Sequence, residues 1–274
     1  MKKTMKVLAI VMALVCFGMT FAGCGQTAKE DTKKTSETKS SQKELVVATN
    51  AQFPPFEYIT EKGIVGKYDG IDIAIMKEIA KKLDRKLVIS DMEFDSIIPA
   101  VASGKADIAV AGMSVTPERQ DSLDFTDTYY TALQTILVKN DNTAIKDVDS
   151  LKGKTVGVVT GYTGDLSLSE AEKSKNITIK RYTKGIDAVQ ELKNGKLDAV
   201  IVDSPTADSF IKKNAELKGI ADNKFFAKEE YAMGFKKSNT ELLNQVNAAL
   251  KEMKKSGRID EIAKEVGERL AKAE

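Results

Sequence analysis

The chain predicts an α/β protein of two lobes, and three observations predict it. Short apolar runs alternate with amphipathic stretches between residues 44 and 112, in the order strand, helix, strand, helix, strand. The same order recurs between 154 and 203. The two runs also end on a shared phrase: SGKADIAVAG at 103–112 and NGKLDAVIVD at 194–203 align Gly104 with Gly195, Lys105 with Lys196 and Asp107 with Asp198. Strands alternating with helices belong to mostly parallel sheets covered on both faces. Two such runs give two lobes.

The elements follow in order. ELVVATN, from residue 44, is a short apolar run bounded by polar residues and predicts a buried strand. Residues 70–83 carry Ile71, Ile75, Ile79 and Leu83 at four-residue spacing with Lys and Glu between them, an amphipathic helix. KLVIS at 86–90 is a strand, FDSIIPAVAS a short helix stopped at Gly104, and ADIAVAG a third strand. In the second run, KTVGVVT, NITIKRY and LDAVIVD are strands, and GDLSLSEAEKSK is a helix. GIDAVQELKN is a helix with Ile186, Val189, Leu192 and Gln190 about its inner face. EYAMGFKK predicts a strand returning to the first lobe, and 240–267 a helical tail broken near Gly257, with Leu242, Val246, Ala249 and Met253 as its apolar stripe. The chain therefore crosses between lobes twice, near 131–138 and 226–234. The first lobe takes 44–132 and 232–274, and the second 133–231.

Composition narrows the function. The 274 residues are 42% hydrophobic and 30% charged, ordinary for a globular protein, and the formal charge of +2 offers no basic surface for nucleic acid. With no His, the chain lacks the usual acid/base side chain and the commonest transition-metal ligand. The first residues form a targeting segment: basic MKKTMK, apolar VLAIVMALVCFGM, then FAGC. The apolar core is short for a spanning helix. The pattern resembles a bacterial lipoprotein signal of residues 1–23 with Cys24 as the lipidated N-terminus, although Phe21 stands where Leu is usual; an uncleaved anchor is the alternative. Cleavage would remove Lys2, Lys3, Lys6 and no acid, taking the charge from +2 to −1, and would leave one Cys and no internal disulfide. Residues 24–43 hold almost no apolar side chain and predict a flexible tether.

In open α/β sheets, ligands sit beyond the carboxyl ends of strands. Gly112 and Asp203 both stand at such ends, and two lobes facing each other would bring them to one cleft. The densest polar cluster, AGMSVTPERQDSLDFTDTYY at 111–130, contains Thr116-Pro117, a helix N-cap followed by Pro at the first position, which puts Arg119 in the first turn. A cation there opposes the helix dipole. Arg119 is either a solvated surface residue or, beside Gly112 and the Ser114 hydroxyl, a bidentate clamp for a carboxylate. Asp203 is either the N-cap of the helix starting at DSPTADS or the acceptor of an ammonium group. Together, Arg119 and Asp203 match an amino-acid zwitterion. In NAQFPPFEY at 50–58, Pro54-Pro55 stiffens the loop, and we expect Phe56 in the core and Phe53 at the cleft.

The ordered set FPPFEY, GIDIAIMKEIAKKL, FDSIIPAVASGKADIAVAGMSVTPER, LDFTDTYY, LKGKTVGVVTGYTGD and GKLDAVIVD resembles the polar amino-acid class, family 3, of bacterial solute-binding lipoproteins that serve ABC importers. It covers nearly all of 44–265. The resemblance implies a two-lobed, type II Venus-flytrap fold with a two-strand hinge, a monomer without cofactor or metal, and an exported protein held to the membrane through Cys24. Its partners would be an L-amino acid and an ABC permease. It also implies roles: Arg119 on the ligand α-carboxylate with Ser114 and Thr163, Asp203 on the α-ammonium with the Gly112 carbonyl, Phe53 and Phe94 flanking the side chain, and Asn50 reading its polar end. Two positions depart from the family pattern. Ile71 stands where an aromatic residue is usual, and Asn50 where relatives selecting basic side chains have Asp. Two other functions share the scaffold: a cyclohexadienyl-type dehydratase, for which Glu57 is the one extra acid, and a ligand-sensing partner of a receptor.

Overall fold

The computed structural model describes residues 42–272. The targeting segment, Cys24 and the tether as far as Ser41 lie outside the described residues. The first lobe is built from β1 (Glu44–Thr49), β2 (Gln52–Phe53), β3 (Glu57–Ile59), β4 (Tyr68–Asp69), α1 (Ile71–Lys82), β5 (Lys86–Asp91), α2 (Phe94–Ala102), β6 (Ile108–Ala109), α3 (Pro117–Ser122) and β7 (Leu123–Phe125). β8 (Tyr130–Ala132) leads into β9 (Gln134–Lys139), β10 (Thr155–Val159), α4 (Thr163–Lys175), β11 (Thr178–Tyr182), α5 (Gly185–Lys193), β12 (Ala199–Asp203), α6 (Ser204–Lys213) and β13 (Leu217–Ala221). β14 (Glu229–Tyr231) leads back to β15 (Gly234–Lys236), α7 (Thr240–Ser256) and α8 (Arg258–Lys272).

Two five-stranded sheets result, ordered β5-β1-β6-β15-β7 and β11-β10-β12-β9-β13. In each, three strands from strand–helix–strand units run parallel. One strand in each sheet runs against both of its neighbours: β15 between β6 and β7, and β9 between β12 and β13. The reason is where the chain enters. β9 and β15 each follow a crossing, so each enters its sheet at the edge where the parallel strands end and must run the other way. The crossings themselves, β8 and β14, pair antiparallel as a two-stranded ribbon, Tyr130 opposite Tyr231 and Ala132 opposite Glu229.

The shared phrase at 103–112 and 194–203 has a structural cause. Gly104 and Gly195 both take left-handed backbone, φ 81° and 75°, where a side chain is disfavoured. Each closes its helix the same way: Lys105 N–H donates to Ala100 O and Lys196 N–H to Glu191 O, both at 2.9 Å. Asp107 Oδ2 then accepts from Val46 N–H and Asp198 Oδ2 from Thr155 N–H, both at 2.8 Å, locking the new strand to the central strand of its parallel trio, β1 or β10. The repeat thus encodes a helix-to-strand joint.

Several expectations change in detail. Only Ile108–Ala109 of ADIAVAG enters the ladder, with Val110 N–H still reaching Ala48 O at 3.0 Å; the chain then leaves the sheet to form the cleft loop. EYAMGFKK is two strands in different sheets, because the hinge ends at Tyr231 before the sheet begins at Gly234. On α5 the inner face is Gly185, Ala188, Val189 and Leu192, while Ile186 is 47% exposed and Gln190 is exposed. Ile186 follows Gly185 by one residue, hence by about 100° around the helix. The α7 stripe holds, with Leu250 buried beside it and Met253 half-buried. The α7–α8 break falls at Gly257, φ 77°.

Candidate functional site

Beyond the ends of β6 and β12 lies a tight cavity of only about 10 Å³, lined by Phe53, Phe94, Ala111, Gly112, Ser114 and Arg119 from the first lobe and Tyr162, Thr163 and Asp203 from the second. A space of that size holds no more than about one water, so a solute enters only when the two walls part. All but one of the sequence-derived cleft residues meet here. The exception is Asn50, whose Nδ2 donates to Met92 O at 2.8 Å and whose Oδ1 accepts from the Tyr162 hydroxyl at 3.1 Å, leaving it behind the tyrosine.

The first lobe supplies a guanidinium on a stiff mount. Thr116 caps α3, its hydroxyl accepting from Arg119 N–H at 3.3 Å. The Arg119 side chain is buried, not solvated. Its Nη1 donates to Ser114 O at 2.7 Å and its Nη2 to Gly161 O, in the second lobe, at 3.0 Å, while the guanidinium lies 5.1 Å over the Phe94 ring. Burial lowers its pKa, opposed by the charges of Glu229 and Asp203. Gly112 has φ 51°, and its N–H donates to Asp72 Oδ2 at 2.8 Å. A side chain there would run into Phe53, 2.5 Å from its ring. Phe53 is itself wedged, 5.6 Å from Phe56 and edge-on to Tyr162 at 5.3 Å, and the Tyr162 ring meets Phe94 at 4.6 Å. Phe56 is fully buried, as expected, and Phe53, nearly so, lines the cavity.

The second lobe supplies a helix N-terminus and a carboxylate. Thr163 opens α4, so its hydroxyl and the positive end of a 13-residue helix face the cavity. Asp203 precedes α6 but makes no capping bond with its side chain, which leaves the N-cap alternative without a contact. Instead its carboxylate accepts from the Tyr231 hydroxyl. Burial first, then the charge of Glu229, push the Asp203 carboxyl up to about 8, and burial beside Asp203 pushes the Tyr231 hydroxyl well above its ordinary range.

Four site residues escaped the sequence reading. Tyr162 lies in GYTGD, beside Thr163, and was discoverable from that strand end. Gln134, Glu229 and Tyr231 lie on or next to the crossings. Glu229 Oε2 accepts from the hydroxyls of Ser114 at 2.6 Å and Thr163 at 2.7 Å, and Oε1 from Gln134 Nε2 at 2.9 Å. Nothing in the local sequence distinguishes Glu229 from the neighbouring Glu230, which is exposed. Glu57 is fully buried but does not line the cavity; it lies beside Asp72 without a sound hydrogen bond to either oxygen. Burial, then the Asp72 charge, raise its pKa well above the usual carboxylate range. Among the described residues, no acid, Cys or His cluster has the makings of a metal centre.

The cavity therefore presents a cation and a hydroxyl from the first lobe, a hydroxyl, a helix N-terminus and a carboxylate from the second, and three aromatic rings around them. Known proteins share this chain's architecture. The arginine-binding extracellular protein ArtP of Bacillus subtilis is 34% identical over 258 residues, covering 94% of this chain and 95% of its own. A probable histidine-binding protein of Neisseria gonorrhoeae is 33% identical over 254 residues, 92% of each chain. The structure of an ancestral arginine-binding protein bound to arginine matches with a TM-score of 0.76 at 41% identity, over 82% of this chain and 98% of that one. An ancestral arginine-binding protein bound to glutamine matches at 0.74 and 42% identity, over 81% and 96%. The two-lobed fold is theirs, and the family model of the bacterial extracellular solute-binding proteins, family 3, spans residues 45–268. This chain belongs to that family.

Proposed function

We propose that the chain captures a polar L-amino acid in the cavity between its lobes and delivers it to an ABC importer, with arginine and glutamine the first ligands to try. The carrying observation is that Arg119 and Asp203, from different lobes, line one cavity. Arg119, Ser114, Thr163 and the N-terminus of α4 would receive the α-carboxylate. Asp203, with the Gly112 carbonyl, would receive the α-ammonium. Phe53, Phe94 and Tyr162 would pack on the side chain, and Asn50 would act on its polar end through Tyr162. Proteins named for arginine and histidine, and arginine-binding structures holding arginine or glutamine, support a polar ligand.

Residues 44–132 with 232–274 would move as one lobe and 133–231 as the other. Ligand binding favours closure because only the closed state satisfies both charges. Capture proceeds without turnover in this reading. Glu57, the acid the sequence offered for a dehydratase, lies away from the cavity lining, which supports binding over dehydration. The protein acts as an exported monomer tethered through a lipid on Cys24.

A thermal-shift screen of L-amino acids tests the assignment. At a thousandfold excess over Kd a ligand adds about 4 kcal/mol, and for 150–250 residues each kcal/mol raises Tm by about 2–4 °C. Arginine, glutamine or histidine should therefore shift Tm by roughly ten degrees. A flat response to every L-amino acid would reject the assignment. Loss of detergent-phase partitioning in Cys24→Ala tests the anchor.

A further inference from the structure

Glu229 opens the hinge strand β14, and backbone pairing fixes where it stands. It lies opposite Ala132 of β8; Tyr231 bridges Ser114; and Val115 N–H donates to Glu230 O at 3.0 Å. From there its half-buried side chain enters the cleft. One oxygen takes the Ser114 hydroxyl at 2.6 Å and the Thr163 hydroxyl at 2.7 Å, and the other takes the Gln134 amide at 2.9 Å. Ser114 belongs to the first lobe, and Thr163 and Gln134 to the second. A single carboxylate thus ties the two lobes, and its charge is the largest attraction on the Arg119 guanidinium.

A hydroxyl has one proton to donate. The Ser114 and Thr163 hydroxyls cannot serve Glu229 and a ligand carboxylate together. The helix N-terminus and the guanidinium favour whichever anion sits beside these hydroxyls. We propose that Glu229 is a resident surrogate for the ligand carboxylate, holding the Ser114 and Thr163 hydroxyls until the carboxylate of the incoming amino acid displaces it. The proposal rests on the amino-acid reading of the site. Displacement needs only side-chain rotation, because β14 is held by its backbone.

Competition of this kind has a signature. The observed affinity falls by the fraction of molecules whose cradle is free. Every α-amino acid brings the same carboxylate, so the penalty is equal for ligands with different side chains. A carboxylate acting only through its field would instead favour arginine over glutamine. A ligand without a carboxylate, such as agmatine, does not compete with Glu229 at all.

The test is calorimetric titration of the full chain, wild type, Glu229→Gln and Glu229→Ala, with L-arginine, L-glutamine and agmatine. Glu229→Ala should bind whichever amino acids the wild type binds about fivefold or more tightly, by a similar factor for each. Agmatine should gain nothing. Glu229→Gln should fall between, because its amide still accepts from a hydroxyl but has no charge for Arg119. Unchanged or weaker amino-acid binding by Glu229→Ala, or opposite shifts for arginine and glutamine, overturns the proposal. If Glu229→Ala does not fold, as judged by its melting curve, Glu229→Gln decides alone, and failure to tighten is then the overturning result. Wild-type protein that binds no amino acid rejects the amino-acid reading itself, and the surrogate falls with it. Wild type that binds while the variants fail to tighten rejects the surrogate alone.

Discussion

Replacing Gly112 with Ala tests how the floor of the cleft is built. At φ 51°, a non-glycine residue is strained by about 1–2 kcal/mol. The new methyl would also stand 2.5 and 2.8 Å from two atoms of the Phe53 ring. That ring cannot slide back, since Phe56, Tyr162 and Tyr231 surround it with centroids at 5.6, 5.3 and 6.4 Å. Overpacking of this sort costs about 1–3 kcal/mol. Gly153→Ala separates the two costs: Gly153 has φ 73° but nothing within 4 Å of where its methyl would stand, so it meets only the backbone strain. Gly112→Ala should therefore lower Tm by roughly 4–20 °C, at about 2–4 °C per kcal/mol, and by more than Gly153→Ala does. It should also weaken amino-acid binding at least about tenfold, because Phe53 is driven into the cavity, whereas Gly153→Ala should bind as wild type. Differential scanning fluorimetry and calorimetric titration read the two effects. Equal melting losses in the two variants, with unchanged affinity for Gly112→Ala, would refute the wedged-ring account.

Other expectations follow from the same geometry. Arg119→Lys keeps the charge but cannot span Ser114 O and Gly161 O with a planar fork, and should cost about 2–4 kcal/mol of amino-acid binding, read by titration. Asp107→Ala and Asp198→Ala each lose a strand-locking bond far from the ligand, so each should lower stability by about 1–2 kcal/mol in urea unfolding without changing Kd. Glu57 has a folded pKa above its unfolded value, so the stability it lends is present at low pH and lost as pH rises through the folded pKa. Asp72, pushed up to about 6 by burial, acts with the same sign. Asp203, pushed up to about 8, acts with the same sign, so Tm should fall as pH rises from about 5 to 8, and Glu57→Gln should flatten that slope; an unchanged slope would show Glu57 to be ionised.

The cleft between the lobes was legible in the sequence wherever a residue follows a strand in an α/β unit. Gly112, Ser114, Thr163 and Asp203 stand at or just past strand ends, and the Thr-Pro cap places Arg119 a turn later. The sequence also showed two opposed charges suited to a zwitterion. It did not separate Asp203 the helix cap from Asp203 the cleft carboxylate, because both functions place the same residue at the same point. The absence of a capping bond and the Tyr231 hydroxyl distinguish them. Asn50 shows the converse. Its position invites a ligand contact, yet both ends of its amide are engaged by Met92 and Tyr162.

What the sequence determined alone are the properties set by near neighbours: helix faces, Gly stops at 104 and 195, the α/β order and the membership of each lobe's parallel core. Local spacing governs these, since a helix turn or a strand alternation involves residues a few positions apart. Tertiary structure decided which strand runs backwards in each sheet and where Glu229 points. Glu229 reaches Ser114 across 115 positions of chain and Thr163 across 66, contacts that exist only once the hinge strands pair. Its chemistry is that of any glutamate; its place against the Ser114 and Thr163 hydroxyls comes from the two crossings, because a hinge residue faces whichever groups the folded lobes bring to it.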